Sequence, residues 1–307
     1  MAGKGTYNAM ASRAPPLDGI HYRFINFVVH AGPRVAVITL ADPATLNAMH
    51  QRMCDELKHA LATAEADPNV GAIVITGSGR AFSAGGDTGM MGKANPLSPL
   101  ETKHFITAEF SGLVEQIRQC PKPVIAAVNG AAVGFAFFLV LSCDMVFAAE
   151  NAYFNVGYGK LALCPLGVGW VLARKLGHQR AFELVTLCEN INAKRGAELG
   201  FVNRVTEASK PSELPTAPGG NLPPPDSPLV SAAVAAAARI SSGPAVALGM
   251  AKKMLHAAHT QSLADHAAWG GALQPLLLAD RDHIEAAEAL KAKRKPKYSL
   301  EALPSKL

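Results

Sequence analysis

An α/β fold follows from three features of the sequence. Short apolar runs recur at residues 70–76, 123–128 and 145–149, and their length and β-branched content read as buried strands. A unit of strand, glycine loop, helix and strand occurs twice, once starting at Val70 and once at Val124, which is the alternation of an α/β fold. From Leu229 onward the chain turns to Ala/Leu-rich helical segments, which predict a C-terminal helical subdomain.

Residues 22–29 and 34–40 are apolar around the turn His30-Ala31-Gly32-Pro33, a strand–turn–strand pair. Asp42-Pro43 breaks the chain before a helix over 47–66, where Met49, Met53, Leu57, Ala60, Leu61 and Ala64 recur at near-helical period. The strand at 70–76 leads into a loop with four glycines between Gly77 and Asp87. Residues 100–119 carry Ile106, Phe110, Leu113, Val114 and Ile117 on one helical stripe and feed the next strand. Asn129-Gly130 turns that strand into residues 131–134, and the longest apolar run, 131–141, is about half a membrane span and reads as a buried helix beginning near Phe135. Three short helices (168–176, 180–187, 193–199) and a strand (201–205) follow, and helices are predicted at 229–240, 244–258, 262–278 and 282–293. The organisation is thus a disordered leader (1–20), a core (21–205), a Pro/Gly-rich linker or insertion (206–228), the helical subdomain (229–296) and a tail (297–307).

With 49% hydrophobic and 17% charged residues, the 307-residue chain is an ordinary soluble composition able to bury a large core. A net charge of +5 suits a phosphate-bearing ligand. The only dense basic cluster, 291–297, is too short for a nucleic-acid reader, and none is expected as partner. Five cysteines without a C-x-x-C pair read as thiols in a reducing compartment, with no metal site.

The chemistry is concentrated between Lys122 and Gly169. A strand, a glycine turn and a helix start leave backbone N–H groups unpaired and outward-facing, which suits a developing negative charge, so an oxyanion site is expected. Asp87 reads as a carboxylate capping the following helix rather than as a catalyst.

Residues 42–49 (DPATLNAM), 81–87 (AFSAGGD), 122–134 (KPVIAAVNGAAVG), 143–148 (CDMVFA) and 191–193 (INA) resemble the crotonase superfamily, the enoyl-CoA hydratase/isomerase group, over about residues 21–205. The resemblance implies a crotonase-like fold of repeated ββα units, a homotrimer or dimer of trimers, and acyl-CoA thioesters as substrate or ligand without any other cofactor. It also implies that the backbone N–H groups of Gly86 and Phe135 stabilise a thioester enolate, and that Ser83, Ala84, Gly85 and Gly86 cradle CoA. Where hydratases of this group carry two glutamates, this chain has Phe138 and Tyr158; where related isomerases carry one after a proline, Pro165 is followed by Leu166. Tyr158 retains a phenol, and His104 and Glu109 lie in the segment that lines the acyl pocket in relatives. Lys160 and Cys164 in the later loop read as packing or surface, and the C-terminal run from Arg281 to Pro296 resembles family C-termini where basic side chains can meet CoA phosphate, a solvated basic helix end being the alternative.

Three readings stand. One is a hydratase or isomerase with a relocated acid/base at His104 or Glu109. Another is a decarboxylase of a malonyl-type thioester with Tyr158 as proton donor, and the third a silent acyl-CoA-binding subunit. The terminal Ser305-Lys306-Leu307 matches the peroxisomal signal, so an import receptor as partner and a peroxisome or glycosome as address are expected, together with a role in fatty-acid metabolism.

Overall fold

The computed structural model describes residues 21–90, 97–208 and 227–299. The leader, most of the linker and the terminal tripeptide lie outside these residues. Ten strands are described: β1 (Ile25–His30), β2 (Val35–Leu40), β3 (Ala72–Gly77), β4 (Ala81–Ser83), β5 (Val124–Val128), β6 (Ala131–Val133), β7 (Met145–Ala149), β8 (Tyr153–Asn155), β9 (Ile191–Asn192) and β10 (Arg204–Thr206). The helices are α1 (Gln51–Ala66), α2 (Pro99–Phe105), α3 (Gly112–Gln119), α4 (Phe135–Ser142), α5 (Leu166–Leu176), α6 (His178–Leu187), α7 (Ala193–Glu198), α8 (Pro228–Ser241), α9 (Ala245–Ala257), α10 (Leu263–Leu278) and α11 (Arg281–Lys291). A π-helical turn, Ile106–Ser111, joins α2 to α3.

The strands form two sheets, ordered β1-β2-β3-β5-β7-β10 and β4-β6-β8-β9. In the larger sheet only the β1–β2 pair is antiparallel. Successive strands alternate between the sheets: β3 is followed by β4, β5 by β6 and β7 by β8, each pair then leading to a helical segment. This is the expected ββα repeat, occurring three times. The apolar runs lack a polar face because both faces of the large sheet are covered. Ile38, Ile75, Ala126 and Ala148 point into the core shared with α1, α3 and α4. Their neighbours Val37, Val74, Ile125 and Phe147 pack instead against Leu229, Ala233 and Ala237 of α8.

Of the C-terminal helical region, α8 is therefore a layer of the core. Its small residues let it lie close to the sheet, and its end is pinned where Ser241 Oγ donates to the Pro33 carbonyl at 2.7 Å. A Cβ on Gly71 would sit 2.6 Å from Ser241 Cβ, so glycine is required where helix and strand meet. Next in the chain, α9 is tied on by a buried charge: Lys252 Nζ lies 2.8 Å from Asp144 Oδ2, and His256 Nε2 lies 3.5 Å from Oδ1. Burial pushes the Asp144 carboxyl up, but bonds from His256, Lys252 and the Val124 N–H more than offset it and hold the pKa below the usual range. By contrast, α10 has no buried residue although Leu263, Leu276 and Leu278 are on it. Among the described residues, no single helix is long and apolar enough to cross a membrane.

Candidate active site

Two loops leave the C-terminal ends of β3 and β5 and run side by side. Asn47 anchors the first, its backbone held in the left-handed region at φ 56°. Its Nδ2 donates to the carbonyls of Ser78, Ala81 and Phe82 at 3.0, 2.9 and 3.1 Å, and its Oδ1 accepts from the Asp42 N–H at 2.9 Å. Ser83 Oγ donates to the Asn47 carbonyl at 2.6 Å and accepts from the Gly85 N–H at 3.1 Å. Asn129 joins the second loop to the first, donating to the Gly79 carbonyl at 3.0 Å and accepting from the Gly77 N–H at 3.1 Å. Such a buried, fully bonded network fixes one loop geometry.

Only glycine fits at the closest approach. Gly85 has φ +91°, and a Cβ there would lie 2.3 Å from the Val133 carbonyl oxygen. Gly134, at φ +57°, caps α4 without a side-chain bond, and its N–H donates to the Asn155 carbonyl at 2.9 Å. Phe135 is the first residue of α4, so its N–H precedes any intrahelical acceptor. Gly86, on the facing loop, sits next to Gly85, whose missing Cβ would lie 3.4 Å from the Phe135 nitrogen. The structure thus brings the two predicted donor positions together, each on a glycine turn.

The space beside them is walled by rings. Phe110 stacks on Phe135 with centroids 4.0 Å apart and planes at 14°. Its Cζ and Cε2 lie 3.5 and 3.6 Å from the point a Cβ on Gly86 would occupy. Phe105 meets Phe110 edge-on at 5.4 Å, and Phe138 meets Phe135 edge-on at 6.4 Å. Phe138 also lies against α5, where a Cβ on Gly167 would be 2.2 Å from its ring. Leu166, the first residue of α5, is partly buried against the same core.

Of the other candidates, Tyr158 is half-buried; burial first, then the nearby Cys164 thiol, keep its phenol protonated well above the usual range. His104 is exposed on α2. Glu109 is buried in the π-helical turn with its carboxylate 2.6 Å from Lys58 Nζ, which also donates to the Ala108 carbonyl at 2.8 Å. Lys160 and Cys164 are exposed. Asp87 caps the turn after it, Oδ1 accepting from the Gly89 N–H at 2.8 Å. In the cradle, Ser83 and Gly85 are buried, and Ala84 and Gly86 are partly accessible. In the basic C-terminal run, Arg294 is paired with Glu285 at 2.6 and 2.9 Å.

Sequence reasoning placed Phe110 only on a helical stripe and gave Gly167 and Asn129 no separate role. The stripe marked Phe110 as inward-facing. What it faces is set by Phe135, on a helix that follows a different strand.

A profile of the enoyl-CoA hydratase/isomerase family matches residues 31–212. A Rhodobacter capsulatus protein described as a probable enoyl-CoA hydratase is 34% identical over 91% of this chain and 98% of its own length. The 1,2-epoxyphenylacetyl-CoA isomerase of Escherichia coli is 30% identical over 88% of this chain and 97% of its own. The crystal structure of an enoyl-CoA hydratase from Polaromonas superposes with a TM-score of 0.79 at 31% identity, covering 90% of this chain and 99% of that one. With its two alternating sheets, paired glycine turns and these relatives over nearly its whole length, the chain belongs to the enoyl-CoA hydratase/isomerase family and has the crotonase fold.

Proposed function

We propose that this chain binds acyl-CoA thioesters with the carbonyl oxygen between the N–H groups of Gly86 and Phe135, yet hydrates 2-enoyl-CoA far more slowly than hydratases of its family. The observation that carries this is the asymmetry of the site. The glycine turns presenting both N–H groups are held by Asn47, Asn129 and Asn155, whereas Phe138, Tyr158 and Leu166 stand where an acid or base is needed. Preorganised donors of this kind are each worth roughly 2.7–4 kcal/mol of transition-state stabilisation. Each absent acid/base group forfeits roughly 10²–10⁴-fold in rate. The Glu109–Lys58 pair and the exposure of His104 speak against either as the replacement.

A second reading, decarboxylation of a malonyl-type thioester, is favoured by the ring-lined wall. Loss of carbon dioxide generates the enolate without a base, and a carboxylate set against apolar rings is poorly solvated. Tyr158, protonated, would return a proton to carbon.

The test is calorimetry with a non-reactive thioester analogue beside turnover assays with 2-enoyl-, 3-enoyl- and malonyl-type CoA thioesters. Binding with hydration at least ~10²-fold below family rates is expected. Ordinary hydratase turnover refutes the reading of the acids, and absence of any CoA-ester binding refutes the oxyanion hole.

The wider setting belongs to the same proposal: fatty-acyl-CoA metabolism, a trimer or dimer of trimers, and a peroxisomal or glycosomal address read through Ser305-Lys306-Leu307. A tag placed after Leu307 is expected to leave the protein cytosolic.

A further inference from the structure

We infer that Phe110 is the specificity-determining residue of this site: its ring fills the acyl slot of the free protein, and on turning aside it leaves a flat, ring-lined space suited to an aryl acyl group. The inference rests on the reading of Gly86 and Phe135 as the thioester donors.

Three observations carry it. Phe110 is only 8% exposed, and its ring tip lies 3.5 Å from the point a Cβ on Gly86 would occupy, so it fills the space beside Gly86 that an acyl chain longer than acetyl would enter. Its contact with Phe135, 4.0 Å between centroids and 14° between planes, is the arrangement one flat ring takes on another. The remaining walls, Phe105 and Phe138, meet this stack by their edges at 67° and 80°. A planar aryl group placed where the Phe110 ring lies recovers the face-to-face contact with Phe135 and the edge contact from Phe105. A saturated chain of equal volume fills the space without that electrostatic match.

The motion belongs to the side chain rather than to the turn that carries it. Lys58 holds the preceding residues through the Ala108 carbonyl and the Glu109 carboxylate, at 2.8 and 2.6 Å, so the π-helical turn is fastened to α1 beside Phe110. Rotation about the Phe110 side-chain torsions is what opens that acyl space.

The experiment is calorimetric binding of acetyl-, hexanoyl-, cyclohexylacetyl- and phenylacetyl-CoA to the wild-type protein, Phe110→Ala and Phe110→Leu. In the wild type, phenylacetyl-CoA is expected to bind roughly 3–10-fold more tightly than cyclohexylacetyl-CoA, the range set by an aromatic pair. Phe110→Ala removes the resident ring and is expected to tighten phenylacetyl-CoA about 10-fold further while leaving acetyl-CoA within about 2-fold. Should Phe110→Ala fail to fold, the wild-type ratio and a smaller tightening in Phe110→Leu decide the matter. Equal binding of the aryl and cyclohexyl esters, or variants that leave every affinity unchanged, overturns the assignment of Phe110. If acetyl-CoA binds while aryl preference is absent, the donor reading survives and this inference falls. If no ester binds to any of the three proteins, both fall.

Discussion

On the proposed function, Phe138 and Tyr158 take the two positions where hydratases of the family carry acid/base glutamates. Phe138 is buried between α4 and a glycine of α5, and Tyr158 is kept protonated by its surroundings, so neither takes up a proton from water near neutral pH. Replacing both by glutamate, Phe138→Glu with Tyr158→Glu, is expected to raise 2-enoyl-CoA hydration by at least ~10²-fold, measured as loss of enoyl absorbance. Removal of the Phe138 ring should also lower stability by about 3 kcal/mol in a denaturant titration, because the ring is buried against Phe135 and the Gly167 backbone. An unchanged rate in a folded double variant would mean that these positions do not face the thioester. The two positions came from the family resemblance alone. The hold on Glu109 was not legible in the sequence, because its partner Lys58 lies on a helix 51 residues earlier and nothing in either local pattern couples them.

Among the elements, the first glycine loop shows what local sequence conveys and what it withholds. Its glycines announce a turn, and Gly85 indeed takes a positive φ that other residues rarely adopt. The agent that fixes the loop is Asn47, whose three carbonyl acceptors lie 31 to 35 residues further on, and no short-range rule names them. Asn47→Ala leaves these carbonyls and the Asp42 N–H buried without their partner, so a loss of roughly 2–4 kcal/mol is expected in thermal or urea unfolding. Thioester affinity should fall with it, since the proposed Gly86 donor lies on the same loop. Asn47→Asp separates the two effects: it keeps the acceptor for the Asp42 N–H but turns the donor to three carbonyls into a repelling oxygen. A variant as stable as wild type would show that the loop holds its shape without this residue. The ββα repeat was implied by the family resemblance, while the apolar runs and glycine turns showed only a unit of strand, glycine loop, helix and strand, twice. The third occurrence, β7 and β8, carries no glycine loop between its strands, and only its pairing in the two sheets reveals it.

For the molecule as a whole, buried ionisable groups set the pH range of stability. Burial pushes the Cys54 thiol from 9.0 up to about 12 and Cys120 up to about 11, and raises Cys143 as well. A thiol whose folded pKa is raised keeps its proton in the folded state while the unfolded chain loses it, so its contribution is intact below about 9 and declines as pH rises toward 11–12. Lys122, lowered by burial to about 8 from 10.5, acts oppositely and adds stability between those values. The thiols outnumber it, so stability is expected to hold near pH 8–9 and fall beyond, by at most about 1.4 kcal/mol per thiol per pH unit. Urea titrations from pH 7 to 11 check this, with Cys54→Ala and Cys120→Ala flattening the decline; a flat profile in the wild type would refute it.

The place of α8 on the large sheet also has a consequence in time. The strands β2, β3, β5 and β7 are all made by the time Ala149 leaves the ribosome, yet the helix that covers their second face ends at Ser241. At ~5–20 residues per second, the ~90 residues between them take on the order of 5–20 seconds to synthesise. Throughout that interval Val37, Val74, Ile125 and Phe147 face outward on a nascent chain, a surface that invites chaperones and neighbouring chains alike.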